Sequence, residues 1–276
     1  MRLLKLLLFI VIPVLPGTMP GAKAEAANPI RTGDLPAARV ALVIGNGQYI
    51  TGLLKNPEND ARAMAGALAN LGFDVEYYAN LDQQAMLRRI FDFFHHKAAK
   101  SELRVIYYAG HGMQHQGRNY LLPVDADLAS PGGIPATGFL LDDLRENLAE
   151  LPTGASIIIL DTCRVNSCPV KPCRSLLENP DITEHRRSAG SLIAYSTGPG
   201  QLAGDGGKQD HSLYTGSLLE LLPTPGLPVE KLFRRLTEQV YRLSDGKQKP
   251  EFIDGLMGDE LCLKRTPRGG CSTDLN

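Results

Sequence analysis

Short runs of β-branched and aromatic residues alternate along this chain with longer segments in which apolar residues recur every three or four positions. The short runs predict strands buried on both faces, and the longer spacing predicts amphipathic helices. The predicted strands cover residues 40–44, 73–78, 104–108, 156–160 and 191–195, with a short strand at 120–124 and an extended piece at Phe252 and Ile253. The predicted helices cover residues 57–71, 82–97, 142–151, 212–222 and 229–243.

Strands that alternate with helices in this way are typical of an α/β fold with a mainly parallel central sheet flanked by helices. In open parallel sheets, functional groups collect just beyond the carboxyl ends of the strands. The strand at 104–108 leads to His111, and the strand at 156–160 leads to Cys163. If these strands are neighbours, an imidazole lies beside a thiol, the pairing that activates a cysteine nucleophile. Taken singly, each residue has a structural alternative, a buried thiol or a hydrogen-bonded core histidine.

Residues 1–26 have the pattern of a secretory signal peptide. Arg2 and Lys5 supply positive charge, the apolar stretch over 6–15 is too short to span a bilayer, and residues 22–26 offer small-x-small cleavage sites. An uncleaved anchor is the alternative, which Pro13 and Pro16 disfavour. We expect an exported protein, periplasmic or secreted, without membrane contact after cleavage. A flexible lead-in over 27–38, one domain over 39–265 and a tail over 266–276 complete the predicted organisation.

The charge balance limits the classes of partner. The chain has 29 Lys and Arg residues against 30 Asp and Glu residues, so it has no basic excess for binding a nucleic acid. We therefore expect a peptide or protein substrate and no nucleic-acid partner.

Five cysteines in an exported protein leave one thiol unpaired. Cys168 and Cys173 flank a short Pro-containing loop that a disulfide would close into a small ring. Cys262 and Cys271 lie in the tail region, where a disulfide would fix the chain. Cys163 is then the free thiol. A disulfide at Cys163, in particular with Cys168, and a metal cluster remain alternatives, although the spacing lacks the C-x-x-C step typical of zinc sites.

Several motifs together resemble the caspase-like cysteine peptidases, specifically the bacterial branch near metacaspases and paracaspases. His111 precedes Cys163 by 52 positions, and the histidine of caspases lies about 50 residues upstream of the cysteine. The resemblance covers about residues 39–263. It rests on Ala41-Leu42-Val43-Ile44-Gly45-Asn46 with Tyr49, Asn59-Asp60-Ala61, Tyr107-Tyr108-Ala109-Gly110-His111-Gly112, Leu121-Leu122-Pro123-Val124-Asp125, Leu160-Asp161-Thr162-Cys163-Arg164 and Ala194-Tyr195-Ser196-Thr197.

The resemblance implies a caspase-like three-layer sandwich and an endopeptidase with a Cys163–His111 dyad. It implies that the backbone N–H groups of Gly112 and Cys163 form the oxyanion hole. It also implies that Asp60 and Asp161 form an acidic S1 pocket for Arg or Lys, because paired carboxylates bind a guanidinium through charge-assisted hydrogen bonds. The structural alternatives are a helix N-terminal acid for Asp60 and a strand-end cap for Asp161.

The sequence also departs from the family pattern. Cys163 is followed by Arg164-Val165-Asn166 instead of the glycine-containing sequences of animal caspases and metacaspases. A catalytically silent caspase-fold binding or scaffold protein is therefore the alternative function.

A group of aspartates and a long loop each have both a functional and a structural explanation. Asp125, Asp142 and Asp143, with Asp127 nearby, are calcium candidates because calcium prefers several oxygen ligands, but helix capping and loop structure are the preferred explanation. We therefore expect no cofactor.

The long loop over 168–188 carries self-cleavage candidates at Arg174, Arg186 and Arg187, with a solvated surface loop as the alternative. His115, His185 and His211 fall in predicted loops, without metal-ligand spacing.

Overall fold

The protein is described from a computed structural model covering residues 38–50, 52–128, 130, 132–151, 153–162, 190–198 and 210–272. Its strands are β1 (Arg39–Gly45), β2 (Asp74–Ala79), β3 (Leu103–Gly110), β4 (Gly112–His115), β5 (Arg118–Leu121), β6 (Phe139–Leu140), β7 (Ala155–Thr162), β8 (Ser191–Tyr195) and β9 (Glu251–Asp254). Its α-helices are α1 (Pro57–Asn70), α2 (Gln83–His96), α3 (Gly133–Thr137), α4 (Leu141–Ala149), α5 (Leu213–Leu221) and α6 (Val229–Leu243).

A six-stranded sheet forms the centre of the fold, with the strand order β2-β1-β3-β7-β8-β9. Every neighbouring pair is parallel except β8 and β9, which run antiparallel. All eight residues of β3 and seven of the eight residues of β7 are buried. Near-continuous burial is expected for central parallel strands covered on both faces, so the predicted mainly parallel sheet is confirmed.

The sheet separates two hydrophobic cores. Ala41 and Val43 of β1 face a core built with α1, α5 and α6, whereas Leu42 and Ile44 face a core built with α2 and α4. This alternation follows from the two-residue period of a strand, which sends successive side chains to opposite faces. The predicted three-layer α/β sandwich is therefore confirmed, and the helix positions predicted from apolar spacing agree with it.

A second, antiparallel sheet of β4, β5 and β6 follows directly after His111. The predicted strand at 120–124 was wrong in its bounds, because the observed strand is Arg118–Leu121. A two-residue turn sets this register: Gln116 and Gly117 both have positive φ, 49° and 74°, which suits a tight hairpin. One residue beyond β5, the Leu122 N–H continues this pairing and donates to the carbonyl of His111 at 3.1 Å.

The C-terminal part of the described chain is held by a disulfide between Cys262 and Cys271, whose Cα atoms are 5.5 Å apart. The Ser272 N–H also donates to the Gly226 carbonyl at 2.8 Å. Cys163, Cys168 and Cys173 lie outside the described residues, as do the segments 1–37 and 163–189. The pairing predicted for Cys168 and Cys173 therefore stays a prediction.

Gly45 sets the distance between the end of β1 and the start of α1. A Cβ atom at Gly45 would lie 2.3 Å from the Pro57 carbonyl oxygen and 2.6 Å from the Ala61 Cβ. These positions flank Asp60 in the first turn of α1. The close approach of the two backbones therefore fixes where Asp60 lies relative to the sheet.

We expect Gly45→Ala to lower the free energy of unfolding by about 1–3 kcal/mol, because an overpacked methyl group must push α1 away from β1. Gly66→Ala is the matched control, since a Cβ atom there meets no atom within 4 Å. That helix-interior substitution should be neutral or stabilising by up to about 1 kcal/mol. Urea unfolding followed by circular dichroism measures both variants, and equal stabilities would contradict the packing argument.

Candidate active site

The carboxyl ends of β1, β3 and β7 meet at one edge of the central sheet. Gly45 pairs with Ala109, Ala109 pairs with Asp161, and Gly110 pairs with Thr162. His111 is the next residue after β3, and Cys163 is the next residue after β7. The strands predicted to carry these two residues are thus neighbours. Cys163 itself lies outside the described residues.

The His111 side chain contacts a backbone carbonyl and an aromatic ring. Its Nε2 atom lies 2.7 Å from the Gly52 carbonyl oxygen, and its ring centroid lies 4.4 Å from that of Tyr49. A carbonyl oxygen only accepts hydrogen bonds, so in the neutral imidazole Nε2 carries the proton. Nδ1 is then the nitrogen with the basic lone pair, and the side chain can act as a general base through that atom.

A buried pair of tyrosines supports the His111 backbone. The His111 N–H donates to the Tyr49 hydroxyl at 2.8 Å, and the Tyr49 and Tyr108 hydroxyl oxygens lie 3.1 Å apart. Tyr108 donates to the Leu122 carbonyl, with an oxygen–oxygen distance of 2.7 Å. Burial is the main cause that raises the pKa of both Tyr49 and Tyr108, so both phenols stay neutral around pH 7.

Gly110 precedes His111 and leaves no room for a side chain. A Cβ atom there would lie 2.6 Å from the Tyr49 hydroxyl, 2.8 Å from the Tyr108 hydroxyl and 2.9 Å from the Asn46 carbonyl oxygen. Asn46 is itself fully buried, and its side chain accepts from the Leu81 N–H and donates to the Leu122 carbonyl. The turn that presents His111 is therefore determined by tight packing around a glycine.

Asp161 is buried at the end of β7 and points toward the start of α5. Its Oδ2 accepts hydrogen bonds from the Ser212 hydroxyl and from the Thr215 hydroxyl, the latter at 2.7 Å. The Tyr107 hydroxyl lies 2.6 Å from the same Thr215 oxygen. Burial and then the charges of Asp161 and Asp60 raise the pKa of Tyr107 well above its usual value.

Asp60 lies on the other side of Ser212. Its Oδ1 lies 2.8 Å from His211 Nδ1, and both of its carboxylate oxygens lie 3.2 Å from the Ser212 backbone nitrogen. Ser212 therefore connects the two aspartates, donating its N–H to Asp60 and its O–H to Asp161. Residues 60 and 161, distant in sequence, form one buried acidic cluster on the face of the sheet covered by α1 and α5.

The three calcium candidates lie in separate settings with structural roles. Asp125 Oδ1 accepts from the Gln83 N–H at 2.8 Å at the start of α2. Asp142 forms ion pairs with Arg145 at 3.2 Å and Arg118 at 3.8 Å, and Asp143 is exposed in the first turn of α4. Among the described residues, no group of three or more His, Cys, Asp or Glu side chains could hold a metal ion.

Sequence reasoning gave no role to His211, Ser212 or Thr215. Ser212 is the N-cap of α5 and accepts from the Thr215 N–H at 3.0 Å, a pattern that a helix-start signal could have revealed. Their contacts with Asp60 and Asp161 bridge more than fifty residues of sequence, so local patterns do not predict them. Within the described chain, no helix is both long and apolar enough to cross a membrane.

The fold is similar to that of caspase-1 from Spodoptera frugiperda. The TM-score is 0.62, the sequence identity is 16%, and the match covers 84% of this chain and 91% of that one. At this identity the likeness concerns the fold alone.

Two curated proteins share more sequence over a shorter stretch. The human mucosa-associated lymphoid tissue lymphoma translocation protein 1 is 33% identical over 141 residues, and its mouse homologue is 31% identical over 140 residues. Each match covers 50% of this chain but only 16% of the relative, so the chain spans about a sixth of the length of these proteins.

The family model of the caspase domain, peptidase family C14, matches residues 38–259. This range contains all the described strands and helices, including the strand ends that carry His111 and lead to Cys163. The chain therefore belongs to the caspase-domain family.

Proposed function

We propose that this protein is an exported cysteine endopeptidase that cleaves peptide bonds after Arg or Lys, with Cys163 as the nucleophile and His111 as its base. The observation that carries the proposal is the geometry at His111. Its Nε2 faces the Gly52 carbonyl, and its strand lies beside the one that ends just before Cys163. Family membership supports a cysteine peptidase, and the acidic cluster supports the choice of substrate.

In the proposed reaction, His111 Nδ1 takes the proton of the Cys163 thiol, and the thiolate attacks the substrate carbonyl carbon. The backbone N–H groups of Gly112 and Cys163 donate to the oxyanion that forms. The imidazolium then protonates the leaving amine as the C–N bond breaks, which leaves a thioester. Water, deprotonated by His111, hydrolyses the thioester and restores the thiol.

The Gly52 carbonyl has a defined part in these steps. It accepts a hydrogen bond from the Nε2–H group throughout, so it fixes the ring orientation and stabilises the imidazolium that forms during proton transfer. Tyr49 and Tyr108 support the ring indirectly. Tyr49 accepts a hydrogen bond from the His111 backbone N–H, and the Tyr108 hydroxyl contacts that of Tyr49. The dyad supplies the nucleophile and the proton transfers, so the proposed chemistry uses no cofactor.

Asp60 and Asp161 are proposed to form the pocket for the basic side chain of the substrate. Ser212 draws both carboxylates together, and their negative charge is buried, where Coulomb attraction to a cation is stronger than in water. A guanidinium or ammonium group complements this cluster, whereas an acidic substrate side chain would be repelled. Self-cleavage after Arg174, Arg186 or Arg187 follows from the same specificity.

Export is the remaining part of the proposal. It is supported by the sequence pattern of residues 1–26 and by the disulfide between Cys262 and Cys271, because disulfides persist in oxidising compartments. We propose a periplasmic or secreted protein that acts without membrane contact after cleavage of the signal peptide.

We expect fluorogenic peptides ending in Arg or Lys to be hydrolysed, and those ending in Asp or Ala not to be. Cys163→Ala should abolish turnover, and His111→Ala should lower kcat by about 10²–10⁴-fold, because each removes one partner of the proton transfer. His95→Ala, at an exposed position of α2, is the control and should retain full activity.

The assay should be run with and without reductant and with and without calcium. Activity that appears only with reductant would indicate a disulfide at Cys163, and a calcium requirement would contradict the proposal that the chemistry uses no cofactor. A folded protein that is silent with every peptide and condition would contradict the enzyme assignment. That result would favour a caspase-fold binding or scaffold protein.

Asp60→Asn and Asp161→Asn should each lower kcat/KM for Arg and Lys peptides by about 10–100-fold, because each removes a charge-assisted hydrogen bond but keeps the side-chain shape. Asp143→Asn, an exposed change on α4, is the matched control for loss of one carboxylate. Steady-state kinetics with both peptides measures the effect, and circular dichroism checks folding. Unchanged kinetics in both pocket variants would place the specificity pocket elsewhere.

On a denaturing gel, the mature protein should separate into two fragments, while the triple variant Arg174→Gln, Arg186→Gln, Arg187→Gln should run as one band. Cys163→Ala should also run as one band, because the nucleophile is lost. Arg88→Gln, on the exposed face of α2, is the control for removing an arginine. Fragments that persist in the triple variant would refute cleavage at these sites.

A further inference from the structure

The imidazole of His211 covers the carboxylate of Asp60. Its Nδ1 lies 2.8 Å from Asp60 Oδ1, and the side chain of His211 is 30% exposed whereas that of Asp60 is 2% exposed. His211 therefore lies between Asp60 and solvent. An arginine or lysine that reaches Asp60 from outside must replace the hydrogen bond that His211 makes.

The surroundings of His211 favour its interaction with Asp60. Asp60 from α1 and Asp161 from β7 both accept hydrogen bonds from Ser212, the residue that follows His211. Tyr107 from β3 and Tyr214 from α5 are buried, and burial raises the pKa of both well above the usual value, so they stay neutral. The charged groups to which these contacts connect the start of α5 are therefore carboxylates.

We propose that His211 is a specificity-determining residue that competes with the basic side chain of the substrate for Asp60. This inference rests on the proposed Arg/Lys specificity. His211 offers Asp60 one hydrogen bond through Nδ1. A guanidinium offers a carboxylate two parallel, charge-assisted hydrogen bonds.

The direction of the effect on KM follows directly. A substrate side chain that binds Asp60 must displace His211, so loss of the His211 side chain should lower KM for Arg and Lys peptides. In the wild-type protein a guanidinium can displace the imidazole, because it binds a carboxylate through two parallel hydrogen bonds.

A purely structural role for His211 predicts something different. His211 lies directly before Ser212, the N-cap of α5, so loss of its contact with Asp60 could loosen the start of that helix. In that case, substitution would lower kcat and the melting temperature together. Loss of competition for Asp60 would instead lower KM.

The test compares KM and kcat for one Arg peptide at one fixed pH in the wild-type protein, His211→Gln, His211→Ala and the control His95→Gln. His95 lies on the exposed surface of α2, where its ring stacks on Phe91. The ratio of each variant's KM to the wild-type KM measures the effect of the substitution. Circular dichroism and melting temperatures establish that each variant is folded.

We expect KM of His211→Ala to be about five- to tenfold below the wild-type value, since the competing hydrogen bond to Asp60 is lost. KM of the glutamine variant should lie between these two values, because its amide can still donate to Asp60. The His95→Gln ratio should stay at one. In an Asp60→Asn background, where the carboxylate no longer exists, changing His211 should have little effect on KM.

The outcomes separate this inference from the proposed function. If the wild-type protein cleaves Arg peptides and KM of His211→Ala is not below the wild-type value, competition by His211 is refuted and the specificity stands. If the variants lose kcat and thermal stability together, His211 is structural and competition is refuted. If none of these proteins cleaves Arg or Lys peptides, the proposed function fails and this inference fails with it.

Discussion

The parallel pairing of β3 with β7 determines where the functional side chains lie. The register joins Ala109 to Asp161 and Gly110 to Thr162, so the chain leaves both strands at the same edge of the sheet. A slip of one residue would move every side chain of a strand to the opposite face and would separate Asp161 from Ser212 and Thr215. The register is strongly specified because both faces of these strands are buried in hydrophobic cores. Hydrophobic packing in the two cores therefore sets the geometry of the polar site at the edge.

The buried acidic cluster is costly to maintain, and its hydrogen bonds explain how it persists. Taking a carboxylate out of water carries a penalty of several kcal/mol unless hydrogen bonds or opposite charges compensate it. Ser212 serves both carboxylates at once, Thr215 adds a second donor to Asp161, and His211 adds a second donor to Asp60. These donors come from the loop before α5 and its first turn. The start of α5 is thus positioned by the same contacts that keep the negative charge buried, which joins fold stability to the proposed substrate pocket.

The sequence predicted the parts of the fold that depend on local pattern. The strand ending before His111 and the helices of both cores follow from apolar runs and from apolar spacing, and the structure confirms them. The sequence did not predict β4 and β6. Polar residues such as Gln114 interrupt any alternation there, and the pairing depends on a two-residue turn. His211 was placed in a loop without a role, since its contact with Asp60 exists only in the folded chain. Tyr49 entered only as part of a family motif, and its hydrogen bond to the His111 backbone depends on the absence of a side chain at Gly110.

A pocket that binds a cation has a difficulty when no substrate is present, because its carboxylates still need partners. A lysine or an arginine of the chain would neutralise Asp60 strongly and would be hard for a substrate to displace, since such a side chain stays charged at neutral pH. Water would leave the site open but would compensate a buried charge less well. An imidazole lies between these extremes: it donates one hydrogen bond when neutral, and a guanidinium with two parallel donors can outcompete it. The choice of histidine at position 211 therefore fits a site that must be stable when empty and yet yield to a basic side chain.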